Sequence, residues 1–208
     1  MKLILGITFL FICSLIQAQE VNSSKFNISG FSGIGYATIE NNKEPNYNLN
    51  CHQAEFLLNY KFDQTIGIAT GFGYAEFTGN GFNSGGNFYQ QRTTFKIPIL
   101  VTVTYNFSDI YKIIGNLGIY AQGIIEDEYR FQNKTTILTF NGGAWNFGLQ
   151  TDLILPVSVS DNFSLGINIK NQTDFNKVGL PIPADKPIYD YQKVHNLNSI
   201  GLIALLEL

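Results

Sequence analysis

Only two histidines are available for acid–base or metal chemistry in this chain, His52 and His195. A histidine with a serine and an acidic residue could make a hydrolase acting on membrane lipids. The sequence has no local spacing of these residue types that supports such a site. Two histidines and scattered carboxylates are equally weak as a metal site. We therefore expect no catalytic residues, no metal, no cofactor and no enzymatic activity.

A glycine-rich stretch, "GFSGIGYA", raises the possibility of a nucleotide-binding loop through Gly30, Gly33 and Gly35. Such a loop works only where a helix follows and points its N-terminus at the phosphates. No helical periodicity follows these glycines. Glycine on a strand is better interpreted as relief for a bend or for a large neighbouring side chain.

The elements that would position any site are strands, as "KIPILVTVTYNFS" (residues 96–108) illustrates. From Ile97 to Phe107 every second residue is large and apolar or aromatic, and this period of two indicates a β-strand. Eight segments of this kind are predicted, at 25–38, 52–62, 66–78, 92–107, 111–130, 144–159, 163–174 and 195–208.

The connections between these segments alternate strictly in length. The second, fourth and sixth are tight turns at 63–65, 108–110 and 160–162, and the other four are long and polar. All tight turns therefore lie at one end and all long loops at the other, as in barrels with short periplasmic turns and longer extracellular loops. The sequence predicts an all-β fold: an eight-stranded antiparallel up-and-down transmembrane β-barrel.

The two faces of the strands predict which side meets lipid. Along 66–74 one face carries large residues from Ile66 to Tyr74, whereas the other is Gly67, Ala69, Gly71 and Gly73. An eight-stranded barrel has an interior just wide enough for side chains to fill. Small and polar residues are therefore expected inside, and the large apolar set faces acyl chains. An open sandwich, which would place Pro98 on an edge strand, fits the alternation of long and short connections less well than a barrel does. In a barrel we expect a bulge at Pro98 or a strand edge freed near the rim.

Charged residues on the small-residue face are predicted to line the lumen. They are Glu55, Lys61, Lys96, Lys112, Asp152, Lys170 and Glu207. Paired residues of a hairpin share a face, so centring the sixth connection on Asp161 pairs Val159 with Phe163, Val157 with Leu165, and Asp152 with Lys170. We expect the last two to form an ion pair in a side-chain-filled lumen.

Similar counting at the second connection places large residues opposite small ones. Lys61, Asn59, Leu57 and Glu55 are predicted to lie opposite Gly67, Ala69, Gly71 and Gly73. The same counting gives three-residue turns at all three tight connections. The last residue of such a turn is often left-handed, and Asn162 accepts that conformation well.

Aromatic side chains recur at the tight-turn ends of the strands, on the apolar face. They are Phe26, Tyr60, Phe62, Tyr105, Phe107, Tyr111 and Phe163. A ring of aromatics at one level is the interfacial girdle expected of a membrane barrel.

The start of the chain has the features of a secretory signal peptide. Lys2 precedes an apolar stretch, and Ala18 offers a small residue before cleavage, so residues 1–18 are interpreted as a signal and 19–208 as the barrel domain. The net charge of −3 and the lack of a basic patch argue against nucleic-acid binding.

These patterns resemble the small outer-membrane β-barrel (porin-like) domain proteins of Gram-negative bacteria. The resemblance is carried by "LLNYKFDQTIGIATGFGY", "KIPILVTVTYNF", "DNFSLGINI" and the alternating C-terminal strand. It implies an outer-membrane barrel without a common catalytic site. Chains of the family commonly end on an aromatic residue that the insertion machinery reads, whereas this sequence ends Leu206-Glu207-Leu208.

The predicted function is that of a structural or interaction barrel in the outer membrane, a monomer in contact with lipid, with both mature termini periplasmic. The proline-rich loop 174–194 is a candidate contact for an extracellular protein or glycan partner, or a stiff lid over the barrel mouth. The alternatives are a narrow porin for small solutes and a secreted soluble barrel that binds a ligand.

Overall fold

The computed structural model describes residues 25–84, 86–108, 111–131, 137–141, 143–180 and 190–208. The predicted signal peptide lies outside the described residues. These described residues form ten strands: β1 Phe26–Asn41, β2 Tyr47–Lys61, β3 Ile66–Asn83, β4 Gly86–Asn106, β5 Lys112–Phe131, β6 Ile137–Asn141, β7 Trp145–Ser160, β8 Phe163–Asp174, β9 Val178–Leu180 and β10 Asp190–Glu207. Among the described residues there is no helix long and apolar enough to cross a membrane.

Eight of the strands close into an antiparallel up-and-down barrel. Their order is β1-β2-β3-β4-β5-β7-β8-β10, and β10 pairs with β1 to complete the ring. The two short strands stand outside it: in the part of the chain that the structure describes, β6 pairs with β5 alone and β9 with β10 alone. The predicted fold class is confirmed.

Two of the three tight turns close as predicted. The Phe62 N–H donates to the Ile66 carbonyl at 2.9 Å, and the Phe107 N–H donates to the Tyr111 carbonyl at 3.0 Å. At the third turn Ser160, not Val159, is the partner of Phe163. The predicted Val159–Phe163 pair is wrong because β7 carries a bulge between Ser158 and Ser160.

The bulge absorbs one residue, so that beyond it the predicted register is restored. Val157 pairs with Leu165 and Asp152 with Lys170. The expected left-handed conformation of Asn162 is also wrong, because no described residue other than glycine has a positive φ.

The opposite end of the barrel is built largely from strand extensions. β2 begins five residues before its predicted start, at Tyr47, and β4 begins at Gly86 rather than at Arg92. The predicted long loop 79–91 is therefore wrong: β3 and β4 remain paired to Asn83 and Gly86, and Gly86 takes a φ of 109° at the tip. Polar residues such as Gln90 and Gln91 extend this hairpin because the backbone ladder needs no apolar side chain.

The predicted register of β2 on β3 is confirmed. Leu57 pairs with Gly71 and Glu55 with Gly73. A Cβ atom at Gly71 would collide with the Phe56 carbonyl oxygen. Glycine at this position therefore allows β2 and β3 to approach closely across from a large residue.

The predicted assignment of the two faces is confirmed as well. On β4, Ile99 and Val101 are 51% and 52% exposed, whereas Lys96 and Leu100 are buried inside the ring. A wall that is apolar outside and partly polar inside is the reverse of a soluble domain.

Pro98 is accommodated without a bulge, so the expected bulge is wrong; the alternative, a freed stretch of strand edge, occurs toward β3, but in mid-strand rather than near the rim. The β3–β4 register is the same on both sides of it, from Thr70↔Ile99 to Gly73↔Lys96. The two intervening pairs are missing from the ladder, because proline has no N–H to donate. The Thr70 hydroxyl donates to the Pro98 carbonyl at 2.9 Å and replaces part of the lost pairing.

Candidate functional site

The middle of the lumen holds four charged side chains, one from each of four strands. Glu55 comes from β2, Lys96 from β4, Asp152 from β7 and Lys170 from β8. Each occupies an inward position of the alternating pattern, and each is at most 6% exposed. We call these four residues the central charge layer.

Glu55 is the centre of this layer. One carboxylate oxygen lies 2.6 Å from the Lys96 ammonium group, and the other contacts the Lys170 ammonium group directly. Asp152 is 3.9 Å from Lys170 at its nearest oxygen. The predicted Asp152–Lys170 ion pair is therefore a secondary contact, and the main partner of Lys170 is a carboxylate from across the lumen.

Gln150 links the members of the layer. Its carbonyl oxygen accepts from Lys96 at 2.7 Å, and its amide donates to Glu55 at 3.2 Å and to Asp152 at 3.2 Å. The Asn116 amide also donates to Asp152, at 3.1 Å. Because buried charges are tolerated only when paired and hydrogen-bonded, this network is what allows the four charges to be buried.

Aromatic rings and a glycine complete the layer. The Lys170 ammonium group lies 4.6 Å from the centre of the Phe31 ring, and Lys96 lies 5.6 Å from that of Tyr120. These distances suit a cation–π contact. A Cβ atom at Gly73 would lie 3.1 Å from the Lys96 side chain. Glycine therefore leaves room for the Glu55–Lys96 contact.

A second buried network lies nearer the long-loop end. An Arg92 nitrogen donates to Asp127 at 2.7 Å and to the Gln192 side chain at 2.7 Å, and the Gln90 amide donates to Asp127 at 2.6 Å. Arg92 is 3% exposed and Asp127 is fully buried. Charge is therefore compensated inside the barrel at two separate levels.

Apolar side chains pack around this second network. The cluster consists of Ala37, Ile39, Tyr47, Leu49, Cys51, Ala75, Phe77, Phe88, Tyr129, Val194 and Leu197. The Phe88 ring meets Tyr47 at 5.2 Å and Tyr129 at 5.2 Å, both edge to face. The packed side chains of this apolar cluster fill the lumen above the central charge layer.

Two solved structures resemble this barrel over nearly its whole length. Neisserial surface protein A has a TM-score of 0.55 and 9% identity, over 89% of this chain and 98% of that one. The outer membrane protein OprG from Pseudomonas aeruginosa has a TM-score of 0.56 and 9% identity, over 90% of this chain and 99% of that one. This chain has the fold of the small outer-membrane β-barrels. No protein-family model and no curated protein sequence matches it.

The aromatic residues predicted to form a girdle lie on the outer wall of this outer-membrane-type barrel, at the tight-turn end. Phe26, Phe62, Tyr105, Phe107 and Tyr111 are 44–62% exposed, and Tyr60 and Phe163 are half-buried. Neighbouring rings touch: Phe26 and Tyr60 lie 5.1 Å apart, and Tyr105 and Phe107 lie 4.7 Å apart.

The structure does not bring the two histidines together. His52 points outward on β2. It pairs with Ile34 of β1, which in turn pairs with Ile200 of β10. Ile200 lies five residues from His195 along that strand. His195 lies 3.2 Å from Glu40. Within the described part of the chain, no three His, Cys, Asp or Glu side chains are arranged to hold a metal ion.

Sequence reasoning missed Arg92 and Asp127 as lumen residues. Arg92 has the same parity as Lys96 on β4, so the alternation rule could have placed it in the lumen. The rule could not have placed Asp127, because β5 carries an extra residue, Ile125, where Thr93 pairs with Glu126 and Thr94 with Ile124. The bulge reverses the parity, and Asp127 turns inward.

The candidate partner loop, 174–194, is only partly described. Asp174 closes β8 inside the barrel, where it accepts hydrogen bonds from Tyr120 at 2.6 Å and from the Val194 N–H at 2.9 Å. Residues 181–189, the proline-rich part, lie outside the described residues. The described ends of this loop are thus anchored to each other.

Proposed function

We propose that this chain is an integral outer-membrane β-barrel with a closed lumen, which acts as a structural or interaction protein rather than as a pore. Its tight turns and both mature termini face the periplasm, and its long-loop end faces outward. The central charge layer carries this proposal.

The layer supports a closed lumen because its members reach across the interior. Glu55 on β2 contacts Lys170 on β8, and Lys96 on β4 contacts Gln150 on β7. Each contact joins strands that are not neighbours in the ring. A permeating ion would have to break several charge-assisted hydrogen bonds at once.

The outer wall supports a membrane location. Large apolar residues are exposed on every strand of the ring, for example Leu202 on β10 at 73% and Leu117 on β5 at 55%. Monomeric soluble proteins rarely expose such continuous apolar surface. In a bilayer the same surface contacts acyl chains, and the aromatic girdle lies at the level of the headgroups.

Fractionation of native membranes tests the location. We expect the mature protein in the outer-membrane fraction, with faster gel mobility in detergent before heating than after it. A single unshifted band in the soluble fraction would favour the secreted ligand-binding barrel instead.

Labelling of intact cells tests the orientation. A single cysteine placed at Ser84, at the tip of the β3–β4 hairpin, should react with an impermeant maleimide, whereas one placed at Gln64, in a tight turn, should not. Cys51 is buried and free, so it provides an unreactive background. The reverse pattern would contradict the proposed orientation.

The proposed partner contact is made at the long-loop end by an extracellular protein or a glycan, with loop 174–194 as the candidate surface. The lid remains the alternative role for this loop. Replacing residues 181–189 by a short glycine–serine link should preserve heat-modifiable mobility and abolish binding on a glycan array. Binding that is unchanged in this variant would exclude the loop as the contact.

A further inference from the structure

An open cavity of about 360 Å³ lies inside the ring at the tight-turn end. It is large enough to hold several water molecules. Its sides include Asn27, Thr104 and Asn106, and Ile114 and Leu205 line it as well. Ile114 and Leu205 belong to a buried apolar cluster, which lies at the inner end of the cavity.

Positive charge is concentrated in this cavity. Lys25, Lys61 and Lys112 line it together with Glu207. Lys61 lies 3.1 Å and Lys112 lies 3.2 Å from the same oxygen of Glu207. One carboxylate oxygen thus faces two ammonium groups, and Lys25 adds a third lysine to the lining.

The other acidic residue of the lining, Asp63, is turned toward the backbone. Its side chain accepts hydrogen bonds from the N–H groups of Thr65 at 2.7 Å and Ile66 at 2.8 Å. Among the described side chains of the lining, three lysines face two carboxylates, so the charge balance inside the cavity is positive.

The charged groups are accessible, in contrast to the central charge layer. Lys61, Lys112 and Glu207 have side chains that are 31%, 17% and 36% exposed. A solute can reach them from the open end without unfolding any strand. Exposed pairs of this kind are weak, so a better anion can displace one partner.

We propose that this cavity is a binding site for a small solute that carries a carboxylate or phosphate group. The oxyanion enters from the tight-turn end and takes the place of Glu207 between Lys61 and Lys112. This inference does not depend on whether the lumen conducts.

Titrations of the full-length protein in detergent micelles test the site, with inorganic phosphate and acetate as separate probes. We expect saturable changes in the backbone amide NMR signals of Lys61, Lys112 and Glu207. A tighter response to phosphate would assign a phosphate group, and a tighter response to acetate would assign a carboxylate. No saturable change with either probe up to 10 mM, about the limit for a useful weak site at low salt, would overturn the proposal.

Three variants distinguish this site from diffuse charge attraction. Lys112→Gln should weaken binding about three- to five-fold, and Lys61→Gln should act similarly. Glu207→Gln should tighten binding by a similar factor, because it removes the internal competitor. Lys193→Gln is the matched control, since this lysine contacts Glu40 at the opposite end of the barrel.

The direction of the Glu207→Gln effect is decisive. A structural role for Glu207 alone would make its loss neutral or harmful to binding. Equal weakening in Lys112→Gln and Lys193→Gln would show attraction to overall charge and would overturn the proposal. Heat-modifiable mobility confirms that each variant is folded before it is titrated.

Discussion

Asp152 lies directly opposite Lys170 on the neighbouring strand, yet its carboxylate is 3.9 Å from the Lys170 ammonium group, which contacts Glu55 directly. The four members of the central charge layer carry two positive and two negative charges. The layer is therefore neutral as a unit, and its energetics belong to the unit rather than to one cross-strand pair.

Removing Lys170 should destabilise the barrel strongly. Lys170→Met leaves two buried carboxylates facing Lys96 alone, and we expect a loss of about 3–5 kcal/mol in the free energy of unfolding. Adding Asp152→Asn restores neutrality and keeps an acceptor for Asn116, so the double variant should be more stable than Lys170→Met. Urea unfolding in detergent micelles measures both. Additive losses would show that the charges act independently.

Because β2 and β3 approach closely at Gly71, alanine should destabilise the barrel there much more than at Gly30. Gly71→Ala places a Cβ atom against the Phe56 carbonyl oxygen and should cost about 1–3 kcal/mol through overpacking. Gly30→Ala is the matched control, because a Cβ atom there has no neighbour within 4 Å. Equal unfolding midpoints for the two variants would contradict the register.

If the outer wall faces lipid, the cost of a charged substitution should depend on its depth in the bilayer. Val101 is the middle residue of the exposed apolar run from Ile97 to Tyr105 on β4, and Tyr105 belongs to the predicted aromatic girdle. Val101→Arg should cost about 2–4 kcal/mol in a phospholipid bilayer, and Tyr105→Arg about 0–1 kcal/mol. Unfolding measured in vesicles compares them. A negligible loss at both positions is what a water-facing wall would give.

The stability contributed by the tight turn at 63–65 is expected to depend on pH. Hydrogen bonds from the backbone N–H groups of Ile66 and Thr65 lower the pKa of Asp63 below its ordinary value. Ionised Asp63 therefore stabilises the fold above the ordinary carboxyl pKa, and this contribution is lost as the pH falls through the lowered value.

Asp63→Asn is the matched variant, since it keeps a side-chain acceptor that does not titrate. The advantage of the natural protein in unfolding midpoint should be largest above about pH 5 and shrink in more acidic solution. An advantage that stays constant across this range would mean that Asp63 does not titrate with folding.

Alternation and counting were enough to predict much of the site. The face of a strand residue follows from its parity, so Glu55, Lys96 and Lys170 could be placed in the lumen from the sequence. Counting outward from the tight turn also gave Asp152 opposite Lys170. The counting failed at Val159 because a β-bulge has no strong sequence signal.

Partners across the lumen were beyond sequence reasoning. Parity gives the face of Glu55 but not which lysine it meets, because that depends on the stagger of strands around the closed ring. The long hairpin of β3 and β4 was missed for another reason. Its polar residues around Gln90 and Gln91 leave the bilayer range, where an apolar pattern is no longer required.

Conductance across a planar bilayer tests the closed lumen most directly. The protein should first show heat-modifiable mobility, so that the sample is known to be folded, and a general porin serves as the positive control in the same bilayer. The central charge layer predicts no steady ohmic steps above the baseline. Reproducible ohmic steps from the folded protein would contradict the closed lumen and identify a narrow pore.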